Sequence, residues 1–214
     1  VGLGTIDSIV VGGEGIRDTI ISANRQIGQI TVAAGGTIEY SEIRMDTNFA
    51  GAGKRIGSIT ADAFYYTDID AGNKLDKVTA RDEVFDLVIE AGELGTLQVK
   101  NEMLGSAILV AGPVKLIQVG DDLISTISIT GPFGNLKSLK VGGDLGTPVG
   151  GEVLVDGQVG KIAVGGDFLA DFYLNYYPQP VTPGNPQGGF VAYPGREGIE
   201  LKSMVVGGQI RGIG

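Results

Sequence analysis

Five acids recur one per repeat through the middle of this sequence: Glu83, Glu102, Asp122, Asp144 and Asp167. Carboxylates at a regular interval admit three roles. A row of hard oxygen ligands can take Ca²⁺. A close pair can divide acid and base work. An acid in a tight turn can accept backbone N–H groups and do no chemistry. The residue after each acid is apolar (Val84, Met103, Leu123, Leu145, Phe168), so each acid stands at a turn just before the chain points inward. The nonapeptide pattern of dedicated calcium repeats is absent. The turn role is therefore expected, with each acid serving its own turn. Calcium on the five-acid column is the only cofactor the sequence suggests.

Other chemistry is removed by composition. The chain has no Cys and no His. A thiolate nucleophile, a zinc site of Cys or His and a Ser-His-Asp triad are thereby excluded. Acidic residues outnumber basic ones 25 to 16, a net charge of −9. Nucleic acid and anionic lipid both call for a basic face, so neither is an expected partner. No apolar run reaches the roughly 18 residues of a membrane span. Gly12-Gly13-Glu14-Gly15 is not a phosphate loop, because no helix follows it. The expectation is that this is no enzyme. A polysaccharide lyase is the remaining catalytic alternative, but no arginine or lysine is placed for it by a recognisable motif.

A second cluster could bind rather than react. Residues 171–198 hold Phe172, Tyr173, Tyr176, Tyr177, Phe190 and Tyr193, together with five of the eight prolines. Proline removes ladder donors, so this stretch reads as an excursion from regular structure. It is either a lid over a flank or a contact surface. Tyrosines stack on sugars or bury against a protein partner, and a protein partner is favoured over a glycan. A smaller insertion is expected near Asp46 to Lys54.

These groups are positioned by a repeat. An aliphatic residue, two others, a second aliphatic, one other, then Val or Ala recurs nine times, from Ile6-Ile9-Val11 and Ile27-Ile30-Val32 to Leu201-Met204-Val206. Successive copies start 21, 29, 19, 19, 20, 22, 23 and 42 residues apart. The last two positions of the phrase share one face of a strand, and the earlier one suggests a corner or bulge leading in. A second short β-rich run follows most copies, as at Leu87-Val88-Ile89 and Ile127-Ser128-Ile129. So little strand cannot bury a face alone, but stacked copies can line up aliphatic columns inside. This predicts an all-β fold: a single-stranded parallel β-helix of about nine coils of 19–23 residues with insertions, one domain over 1–214. At about 4.8 Å per rung it is roughly 40 Å long. Right-handed winding is expected, as parallel crossovers almost always are. A β-sandwich is the rival, but it has no reason to repeat one phrase nine times. No helical periodicity supports a leucine-rich repeat.

Leu136-Lys137-Ser138-Leu139-Lys140-Val141-Gly142-Gly143-Asp144-Leu145 and Val159-Gly160-Lys161-Ile162-Ala163-Val164-Gly165-Gly166-Asp167-Phe168 carry a resemblance. These phrases resemble the degenerate repeats of large bacterial extracellular β-helix proteins, over most of the chain except roughly 170–198. The resemblance implies an extracellular or cell-surface location, which lack of Cys suits. It implies no catalytic residues, since that group includes adhesins, fibre components and polysaccharide-active enzymes.

The two ends of the array carry no visible cap, although exposed edge strands invite pairing. Leu201 through Gly214 and on from Val1 to Ile6 of a second copy spans 19 residues, the shortest coil length in the chain. Head-to-tail self-association is therefore expected, through Ile6, Ile9, Met204, Val206 and Ile210. The alternatives are a stretch of a longer solenoid, and an adhesin-type stalk that binds glycans or other surface proteins through Tyr173, Tyr176, Tyr177, Phe190 and Tyr193.

Overall fold

The computed structural model describes residues 4–46, 53–131, 133–174, 176–179, 189–192 and 201–211. Among these there is no helix, and the chain is a parallel β-solenoid. Nine strands stack in chain order to form the first sheet: Thr5–Val11, Gln26–Val32, Arg55–Ala61, Lys74–Ala80, Glu93–Val99, Val114–Val119, Leu136–Val141, Val159–Val164 and Leu201–Val206. Nine rungs mark off eight complete turns. The repeat phrase sets the register: Ile9, Ile30, Ile59, Val78, Leu97, Ile117, Leu139, Ile162 and Met204 pair in sequence up the stack.

The first position of the phrase is inside the strand rather than before it. Ile27 and Ile30 are both buried, and Gln29 between them is exposed. The bend therefore lies within the strand, and both aliphatics reach one core. From the second rung to the eighth all three phrase positions are buried, with no charged residue among them. Burying each such side chain contributes about 1.5–3 kcal/mol.

The second sheet carries the return of each coil, with Phe64–Asp70, Val84–Ala91, Met103–Val110, Leu123–Ile129, Glu152–Val155 and Asp171–Leu174 stacked in parallel. In the first two coils its strand is split, as Gly15–Arg17 with Ile20–Ala23 and as Thr37–Glu39 with Glu42–Met45. A fourth inward column joins the sheets. It runs Ile16, Ile38, Phe64, Val84, Met103, Leu123, Leu145, Phe168, Ile210. The apolar residues that follow the five acids are its middle and upper members.

The polar excursion begins later than the sequence suggests. Asp171–Leu174 still pairs in parallel with Glu152–Val155. Phe172 packs on the core and meets Phe168 edge-on at 6.2 Å. Alternation hidden among aromatics, rather than proline, decides this stretch. Beyond it, Tyr176–Gln179 and Gly189–Ala192 form an antiparallel hairpin.

Candidate functional site

The acidic column is built on the corner between the two sheets, which Val-Gly-Gly-Asp forms at Asp144 and Asp167. Its carboxylates reach along the solenoid axis. Asp122 Oδ1 accepts the backbone N–H of Asp144 at 2.7 Å. Asp144 Oδ1 accepts that of Asp167, and Asp167 Oδ1 that of Gln209, also at 2.7 Å. For these three aspartates the turn role holds in altered form: each serves the next coil's turn, not its own. Glu83 differs, taking the Tyr65 hydroxyl at 2.7 Å. That bond, with burial and the Glu83 charge, pushes Tyr65 up to about 12. Glu102 follows Asn101, whose amide donates to Asp82 at 2.5 Å. Glu14 is outside the column, because Gly15 is the residue in register with Thr37. Among the described residues, no three acids group in a way that would hold a metal ion. The five candidates stand one per coil.

The glycines beside these acids explain how the ladder fits. A Cβ on Gly143, Gly166 or Gly208 would strike Oδ1 of the acid one coil before, and a Cβ on Gly120, Gly142, Gly165 or Gly207 would strike the backbone carbonyl of the coil before. Glycine is required here by close approach of rung to rung.

A second constellation lies on the other sheet and has no simple sequence signal. Asp18, Tyr40, Tyr66 and Asp86 have φ of 48–51°, with Gly105 next in the same column. These residues form a left-handed kink repeated coil after coil. The residues that follow include Ser41, Thr67 and Ser106, which are buried. Their hydroxyls, with that of buried Ser125, repair the interrupted ladder. Thr19 N–H donates to Ser41 Oγ, Leu87 N–H to Ser106 Oγ and Ser106 N–H to Ser125 Oγ, at 3.1–3.2 Å.

The kink throws Tyr40 and Tyr66 outward into a stack. Their rings lie 5.0 Å apart and 7° from parallel. Arg17 sits 5.7 Å from the Tyr40 centroid, and Phe85 meets Tyr66 edge-on at 6.1 Å. The rings brace successive rungs along the rod, and Tyr40 and Tyr66 stay about half exposed.

A groove of about 440 Å³ runs beside the first sheet and includes Lys74, Lys115, Lys137 and Lys202. Lys115 and Lys137 occupy adjacent rungs, and among the described residues neither has an ion-pair partner. Chemically this is a cationic trough on an acidic molecule. At another corner Arg81 bonds Asp62 at 2.5 Å and the Val32 carbonyl at 2.7 Å. The guanidinium and the Gly35 N–H hold the Asp62 carboxyl below the usual range.

The aromatic candidates are divided. Tyr173 is on the last strand of the second sheet, with its hydroxyl pKa raised by burial and by Asp171 and Glu152. Tyr176, Tyr177 and Phe190 are on the hairpin strands. Their side chains, and Tyr193 altogether, lie outside the described residues, as does most of the small insertion after Asp46.

The assembly candidates occupy the two end rungs. Ile6, Ile9, Met204 and Val206 pack on the core but are only partly covered. Ile210 is 49% exposed. Among the described residues, Thr5–Val11 pairs on one side only, and so does Leu201–Val206. Comparison with protein-family models, with curated proteins and with solved structures finds no match to this chain.

Proposed function

We propose that the chain is a structural β-solenoid unit of an extracellular or cell-surface assembly, and that it lengthens by stacking rung on rung with further copies of itself. The observation that supports this most directly is the pair of end rungs. Among the described residues, each has an unpaired backbone edge and half-covered aliphatic columns in the same register. An open parallel edge is a template for another strand, and an unlike-edge contact that does not close generates a fibre. The rest of the rod is suited to carrying load: aliphatic columns inside, axial carboxylate bonds at one corner, a stacked aromatic brace at another. The acidic exterior keeps neighbouring rods apart in solution.

Negative-stain electron microscopy of the purified chain over a concentration series tests the reading. Rods that lengthen in steps of roughly 40 Å, nine rungs at about 4.8 Å each, are expected. Dispersed single short rods at every concentration would overturn it. A second reading, a stalk that binds an acidic polymer, is favoured by the lysine trough. Particles that associate only when an anionic polysaccharide is added would point to it.

A further inference from the structure

We infer a specific junction: the Leu201–Val206 edge of one copy pairs in parallel with the Thr5–Val11 edge of the next, Leu201 opposite Ile6 and Gly207 opposite Gly12. This rests on the stacking reading above and adds its register and partner surface. Three observations carry it.

The first is a glycine without a cause. In Val-Gly-Gly of the later rungs, the first glycine is demanded by the carbonyl of the coil before: Gly142 lies against Gly120, Gly165 against Gly142, Gly207 against Gly165. Val11-Gly12-Gly13 repeats the phrase on the first described rung. A Cβ on Gly12 would meet nothing within 4 Å, and its φ is ordinary. Among the described residues, neither space nor conformation asks for glycine there. A Gly207 carbonyl set above it from another copy does.

The second is the outward column one residue before the third core position. Inside the stack it holds threonine, glutamine, lysine or alanine. At the two ends alone it holds valine: Val10 is 76% exposed and Val205 57%. In the inferred register these two are opposite each other, and each covers the other.

The third is charge. Asp7 follows Ile6 and Lys202 follows Leu201, so the register puts an acid opposite a base. Opposite charges on facing positions are favourable and like charges are not.

Sedimentation velocity of the 214-residue chain and its variants tests the register, with circular dichroism to show that each variant is folded. Asp7→Lys and Lys202→Asp should each weaken association by about 3- to 30-fold, the range for turning a favourable facing pair into a like-charged one. An equimolar mixture of the two variants should recover wild-type association, because every junction in an alternating rod is then complementary. Gly12→Val should fold normally and fail to associate. If the wild-type chain associates but all three variants associate equally well, the register is wrong and end-to-end stacking stands. If the wild-type chain stays monomeric throughout, the stacking reading falls, and this junction with it.

Discussion

Asp144 makes hydrogen bonds in opposite directions along the axis. Its backbone carbonyl accepts from Leu123 of the coil before, and its Oδ1 from Asp167 of the coil after. Asp144→Ala leaves a partly buried N–H without an acceptor. A bond to a charged group is worth about 1.5–3 kcal/mol, so the urea midpoint should fall by the equivalent of that amount. Asp144→Asn keeps an oxygen in place and should recover most of the loss. Tyr65 makes a prediction at the other end of the pH scale. Its hydroxyl titrates near 12 because the protonated form donates to Glu83. The folded state therefore favours the neutral ring. That contribution to stability is whole below pH 10, the ordinary tyrosine value, and is lost as pH rises toward about 12. Alkaline titration followed by tyrosinate absorbance should show a late component that is missing in Tyr65→Phe and moves down in Glu83→Gln. The acids themselves were legible as a column. That Asp122, Asp144 and Asp167 bond to the next coil was not, because an Asx turn and an inter-coil bond use the same residue at the same place.

At the scale of the strand, glycine sets the tolerance. Gly142 and Gly165 each face a carbonyl of the preceding rung with no room for a methyl group. Gly165→Ala should push two rungs apart, lowering stability by about 1–3 kcal/mol as overpacking does, which a thermal melt would read. The three columns of the repeat phrase could be read in advance because their inward positions take only aliphatics. The fourth was half visible. Val84 to Phe168 follow the acids at a constant offset, but Ile16, Ile38 and Phe64 follow Gly15, Thr37 and Ala63 and break that cue. The hydroxyl column was not legible at all. A buried serine beside a left-handed residue looks like an ordinary loop in sequence, and nothing marks Tyr40 or Tyr66 for positive φ.

Over the whole molecule, each rung packs mainly on its two neighbours, as repeat arrays do. Long insertions are accommodated on this plan, since the 42-residue spacing between Val159 and Leu201 leaves their strands in direct register. Asp171–Leu174 carries aromatics of the Tyr- and Pro-rich stretch while keeping the second sheet's pairing, which composition alone does not show. The corner carboxylates have one more consequence. Asp122, Asp144 and Asp167 all grip forward, toward higher residue numbers, and none grips back. Copies stacked as proposed would make a vectorial rod: its head and tail would be chemically unlike, elongation at the two tips need not proceed at one speed, and side-by-side bundles would come in two distinguishable kinds, those whose members point the same way and those whose members oppose.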